Sequence, residues 1–170
     1  FIQLPRGGEK DDSLWDIACV DAASGTVATV YSDENDGISA GDREEYAVPG
    51  VPQALAVSDL DGSGFDDIVA VSVQPSVLTV LLSNAGGEEA AEAPLFYPFA
   101  RASGENSPVD LPSPLVHGAA GDGGQDPFLA VLAAGGREVV IIHIDPKSWR
   151  EVARERHPDP GTELPEPLGN

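Results

Sequence analysis

The chain has little of what most protein chemistry is built from. In 170 residues there are one cysteine, three histidines and no methionine. One cysteine excludes an intrachain disulfide. Cys19 lies in the apolar run Asp16-Ile-Ala-Cys-Val20, where a thiol packs as a small hydrophobe, so a buried, inert side chain is expected. His117, His143 and His157 stand in unrelated contexts and form no His-x-x-x-His or Cys/His cluster, which removes the usual zinc patterns. His143, inside Val139-Val-Ile-Ile-His-Ile-Asp145, reads as a hydrogen-bonded strand histidine. The G-x-S-x-G elbow, the Walker loop and the dinucleotide glycine fingerprint are all missing, and with them the sequence case for an enzyme of those classes. No apolar run reaches the roughly 18 residues of a membrane helix. The first residues lack the basic-then-apolar pattern of a leader. A chain that starts at Phe1 without any methionine reads as a processed protein or a piece of a longer one. No Asn-x-Ser/Thr sequon occurs, so N-glycosylation is not indicated.

Positive charge is the other shortage. Nine Lys and Arg, only two of them lysines, face 29 Asp and Glu, for a net charge of −20. Such a surface repels nucleic-acid phosphates and anionic membranes. It favours divalent cations, high-salt surroundings or basic partners, and plain solubility accounts for it equally well. With 41% hydrophobic residues the composition is that of a globular protein, not a disordered one, and the length allows one sizeable core.

What is present is an aspartate-rich turn. Residues 59–67 read Asp-Leu-Asp-Gly-Ser-Gly-Phe-Asp-Asp, placing Asp59, Asp61, Ser63 and Asp67 at positions 1, 3, 5 and 9. Calcium takes about six to eight hard oxygen ligands, and this spacing, with Gly62 and Gly64 for sharp turns, aims several oxygens at one point. An EF-hand opens similarly but needs a bidentate Glu at position 12, where this chain has Ala70. The β-branched run Ile68-Val-Ala-Val-Ser-Val73 reads as a strand. The loop therefore joins strand to strand.

The stretch Ala54-Leu-Ala-Val-Ser-Asp-Leu-Asp-Gly-Ser-Gly-Phe-Asp-Asp-Ile-Val-Ala-Val71, with Val77-Leu-Thr-Val-Leu-Leu-Ser-Asn-Ala-Gly-Gly87 after it, resembles the FG-GAP/VCBS repeat of integrin-α-like β-propellers. The resemblance implies a four-stranded blade with calcium held between its first two strands, and relatives that serve in adhesion and assembly, often outside the cytoplasm. Two further copies of the anchor Asp67-Ile-Val-Ala-Val71 are Asp16-Ile-Ala-Cys-Val20 and Pro127-Phe-Leu-Ala-Val131. The next strand repeats as 26–33, 77–84 and 138–145, and weaker outer strands follow at 43–48, 95–100 and 149–153. The expected fold is all-β, about three four-stranded antiparallel blades of a partial or oligomer-completed propeller. Blade one is 1–49, blade two 50–107 and blade three 108–156, with a Pro-rich tail at 157–170.

Only blade two keeps the ligand set. In register, blade one offers Gly8, Lys10, Asp12 and Asp16, and blade three Ala119, Gly121, Gly123 and Pro127. One calcium site is expected, at Asp59, Asp61, Ser63, the Phe65 carbonyl and Asp67. Asp66 and Asp67 point to opposite faces of a strand, so they do not serve one substrate as an acid/base pair. Trp15, before a buried anchor, is expected to pack in the core, and Trp149 to be exposed. The functional expectation is a non-catalytic, calcium-stabilised scaffold for protein–protein interaction or adhesion, in an extracellular, secretory or periplasmic setting. The alternatives are a glycan-binding lectin using Trp149 and a non-catalytic part of a hydrolase or lyase. Three blades leave open faces of alternating apolar residues such as Ile68, Val69, Val71 and Leu78. Such faces call for further blades, a protein partner or a second copy, and the chain is not expected to be a free monomer. The charge carries its own test: with −20 net charge, added monovalent salt should raise the thermal midpoint by screening self-repulsion, and a flat or falling midpoint would mean the acids are locally compensated.

Overall fold

A computed structural model describes residues 15–33, 37–83, 94–98, 127–133 and 138–158. Every regular element among them is a β-strand: β1 (Ile17–Asp21), β2 (Thr26–Asp33), β3 (Gly37–Ala47), β4 (Val51–Ser58), β5 (Asp67–Val73), β6 (Val77–Leu81), β7 (Leu95–Pro98), β8 (Phe128–Ala133), β9 (Glu138–Ile144) and β10 (Glu151–Pro158). They form three antiparallel sheets, β1-β2-β3, β4-β5-β6-β7 and β8-β9-β10, and none of them closes on itself. Among the described residues no helix is long and apolar enough to cross a membrane.

The three anchor segments lie in β1, β5 and β8, each followed by its hairpin partner β2, β6 or β9. Only the middle sheet has a strand before its anchor among the described residues, β4; the matching stretches of the expected blades one and three lie outside them. The outer strands differ from expectation in extent. The third begins at Glu151 and runs to Pro158, two residues into the stretch read as tail.

The middle sheet is covered on both sides. Its Ile68, Ala70, Leu81, Leu55 and Val57 pack against Val27, Tyr46, Ala18 and Val20 of the first sheet and Val48 just after β3. Its Val69, Val71, Leu78, Val80 and Tyr97 pack against Leu129, Val131, Val140, Ile142 and Ile144 of the third. This corrects the expectation that Ile68, Val69, Val71 and Leu78 line open faces: all four are at most 5% exposed. A run of seven buried residues in β5 is what a strand between two sheets looks like, in contrast to the alternation of β9.

The two interfaces are unequal. The one with the third sheet is all aliphatic and aromatic at its centre, each fully buried side chain worth about 1.5–3 kcal/mol. At the first, the buried hydroxyls of Ser72 and Thr79 have no hydrogen-bond partner, and an unmet buried hydroxyl costs about 1–3 kcal/mol. The sense of stacking differs too. By pairing register Ala18, Val69 and Leu129 occupy equivalent positions. The first sheet turns this face to the back of the second, whereas the second and third turn it towards each other. A propeller ring needs every blade stacked in the same sense, so the third sheet departs from that arrangement.

Three side chains correct the sequence reading. Cys19 is exposed, because it lies on the side of β1 that faces away from the middle sheet. Trp15 is 55% exposed: its neighbour Asp16 turns inward, so the indole points out. Trp149 is the reverse, partly buried against the core. It closes a turn in which its N–H bonds Asp145 O at 2.8 Å, and its carbonyl accepts the Tyr97 hydroxyl at 2.7 Å.

The first two sheets meet at Gly50, whose φ is +74° and where an added Cβ would lie 2.5 Å from the Val73 carbonyl oxygen. Gly62 has the same φ but open space around it. Both Gly→Ala changes carry the left-handed penalty of about 1–2 kcal/mol. Gly50→Ala adds a backbone clash, so in urea unfolding it should cost clearly more than Gly62→Ala; equal losses would contradict the packing described for this junction.

Candidate metal site

Strands β4 and β5 pair from Ser58↔Asp67 inward, and the loop between them carries the aspartates. Gly62 (φ 74°) and Gly64 (φ 89°) take left-handed conformations that side-chain-bearing residues avoid. Between them the chain folds by short-range bonds from backbone amides. Ser63 N–H donates to Asp61 Oδ1 (2.8 Å), Gly64 N–H to Asp59 Oδ2 (2.9 Å) and Phe65 N–H to Ser63 Oγ (3.3 Å). Each short polar side chain thereby bends back over its own loop, the habit that makes Asp and Ser turn formers.

Asp67 is different in kind. It is fully buried and spans the sheet: Oδ2 accepts Leu60 N–H at 2.7 Å, and Oδ1 accepts both Ser83 N–H at 2.8 Å and the Ser83 hydroxyl at 3.2 Å. Its carboxyl is pushed up to about 6, chiefly by burial, against the pull of the Ser83 and Leu60 donors, with Asp61's charge adding to the rise. Asp66, beside it, is partly exposed, in keeping with opposite-facing neighbours.

Asp59, Asp61 and Asp67 come together, each with an oxygen within 4.8 Å of the others. Two unit charges that far apart repel by about 3 kcal/mol at an effective dielectric near 20. One oxygen, Asp59 Oδ1, is buried without any hydrogen-bond partner. Crowded carboxylates and an unmet buried anionic oxygen are the chemistry of a cation site, and the group can hold a metal ion. Of the other expected ligands, the Ser63 hydroxyl accepts the Phe65 N–H. Sequence reasoning missed Ser83 and Leu60, the two residues that anchor Asp67. A signal existed: Ser32 N–H donates to Asp16 Oδ1 at 2.9 Å, so the same bond spans 16 residues in the first and second sheets. In the third, Pro127 replaces the aspartate, and its carbonyl accepts Ile144 N–H at 2.9 Å. Lys10 and Asp12, and Ala119, Gly121 and Gly123, lie outside the described residues.

Comparison with known proteins gives no match: no family model fits the chain, and no curated protein or solved structure is significantly similar to it.

The raised carboxyl of Asp67 has a defined sign. Its folded value, about 6, lies above the ordinary 3.8, so folding favours the protonated form. In chelator-treated protein that contribution is full below about pH 3.8 and is lost as pH rises through about 6. Thermal midpoints between pH 4 and pH 7 should fall in metal-free protein and fall less in Asp67→Asn. Identical slopes would show that Asp67 is not the group responsible.

Proposed function

We propose that the chain is a non-catalytic, calcium-stabilised scaffold built from blade-like antiparallel sheets, serving protein–protein interaction or adhesion. The observation that carries this reading is Asp59 Oδ1, a buried carboxylate oxygen without a partner, beside the oxygens of Asp61 and Asp67. An all-oxygen donor set selects hard cations over zinc or copper. Calcium suits a flexible loop of carboxylates, hydroxyl and carbonyl better than magnesium, which demands near-ideal octahedral geometry. The ion would be held by Asp59, Asp61 and Asp67, with the Ser63 hydroxyl and the Phe65 carbonyl as further ligands. It would supply charge neutralisation and cross-linking. The carboxylates are already tied to backbone amides, which suits a fixed structural ion more than one that must open to a substrate.

A hydroxyl at position 5 in place of a carboxylate lowers affinity into the range of extracellular modules, on the order of 10⁻⁵–10⁻³ M. Such a site fills where calcium is abundant, which supports a setting outside the cytoplasm. The first two sheets stack in the sense that a propeller requires, and this supports a blade-type scaffold that docks onto other proteins or further blades. The glycan reading rested on an exposed Trp149; with that ring packed against the core, the scaffold reading stands ahead of it.

Titration calorimetry decides the metal. The native chain should bind one calcium in the stated range, and Asp61→Ala should weaken it by at least about tenfold, the equivalent of about 1.4 kcal/mol. An unchanged isotherm in the variant would sink the site.

A further inference from the structure

The loop does more than turn the chain. Leu60 sits between the candidate ligands Asp59 and Asp61, yet it is fully buried and belongs to the cluster that joins the second sheet to the third, with Leu129, Val131, Val140, Ile142 and Ile144. Its amide is held by Asp67 Oδ2 at 2.7 Å, and Asp67 Oδ1 holds Ser83 just past β6 at 2.8 Å. Leu82, next to Ser83, is in the same cluster. One carboxylate thus fixes two backbone points, each adjoining or carrying a side chain of the inter-sheet core. We propose that this loop is a cation-operated clamp: metal binding at Asp59, Asp61 and Asp67 seats Leu60 and thereby fastens the third sheet onto the second. The inference rests on the cation reading above and deepens it by naming what the ion controls.

The physical argument is one of linkage. Without a cation, the crowded carboxylates are relieved when the loop opens. Opening breaks the Leu60 N–H bond and withdraws a side chain that the third sheet packs against. A cation reverses the sign of that term, since it binds only when the three carboxylates converge. Among the described residues the first sheet has no such connection: its cluster contains Ile68, Ala70 and Leu81 of the middle sheet and no loop residue between 59 and 66. Calcium should therefore act on one interface and leave the other nearly unchanged.

Hydrogen exchange on the whole chain, with and without calcium, reads this directly. At calcium ten times its dissociation constant, mass action raises protection by about tenfold wherever opening releases the ion. That rise is expected at the amides of Leu129, Val131, Val140 and Ile142 as well as in β5, and not at Val20 or Val27 of the first sheet. In Leu60→Ala, calcium should still bind and still protect β5, while the gain in the third sheet is lost. Leu60→Val, a smaller change that preserves folding, should show a partial loss. Binding by calorimetry without added protection in the third sheet overturns the clamp and leaves the metal site standing. So does full coupling in both Leu60 variants. A chain that binds no calcium overturns the metal reading itself and the clamp with it.

Discussion

The structure depends on one buried carboxylate that binds backbone. Asp67 lies at the start of the middle sheet's most buried strand and ties the loop before it to Ser83, just past the next strand. An ionised carboxylate without water is costly, so it persists only because three donors from Leu60 and Ser83 meet it. Asp16 forms the corresponding bond to Ser32 in the first sheet. The third sheet has Pro127 at that position, and only the backbone bond from Ile144 N–H to the Pro127 carbonyl joins the strand ends there. Two copies of one brace, at equivalent places in the first and second hairpins, are the most concrete kinship between those sheets.

From that brace the rest follows in order. It sets where β5 begins, hence which side chains of β5 face each neighbour. One face takes the first sheet across a seam of mostly aliphatic side chains and unmet hydroxyls, and the other takes the third across a fully apolar contact. Polar links reinforce the second contact from its edge. Arg154, held by Glu151 within its own strand, donates to the Pro98 carbonyl at 2.6 Å, and the Tyr97 hydroxyl donates to the Trp149 carbonyl at 2.7 Å. The loop with its three aspartates stands at the end of this stronger contact, where a cation has something to hold.

Much of this was legible in the residues. β-Branched runs bounded by Gly, Pro and Asp located the hairpin strands, because strand propensity and turn chemistry agree there. The aspartate spacing located the carboxylate cluster, because a turn with two glycines leaves few ways to point short side chains. What was not legible depends on faces and on distant partners. Whether β5 is covered on one side or two is settled by sheets far along the chain. The two tryptophans exchanged roles because Trp15 neighbours an inward carboxylate, while Trp149 closes a turn at φ 53° that swings it onto the core. Cys19 sits on a side of β1 that local hydrophobicity cannot distinguish from the other. The reversed stacking of the third sheet is a relation between two interfaces, and no local pattern encodes it.

The central claim, that the three carboxylates are arranged for a cation, is tested most directly by a crystal structure of the chain grown in calcium, with anomalous scattering to identify the ion. The account predicts one calcium bonded to Asp59 Oδ1, Asp61 and Asp67 at about 2.3–2.6 Å, with Leu60 buried as described. A water molecule or a side-chain donor on Asp59 Oδ1, with no ion among the three carboxylates, would contradict it.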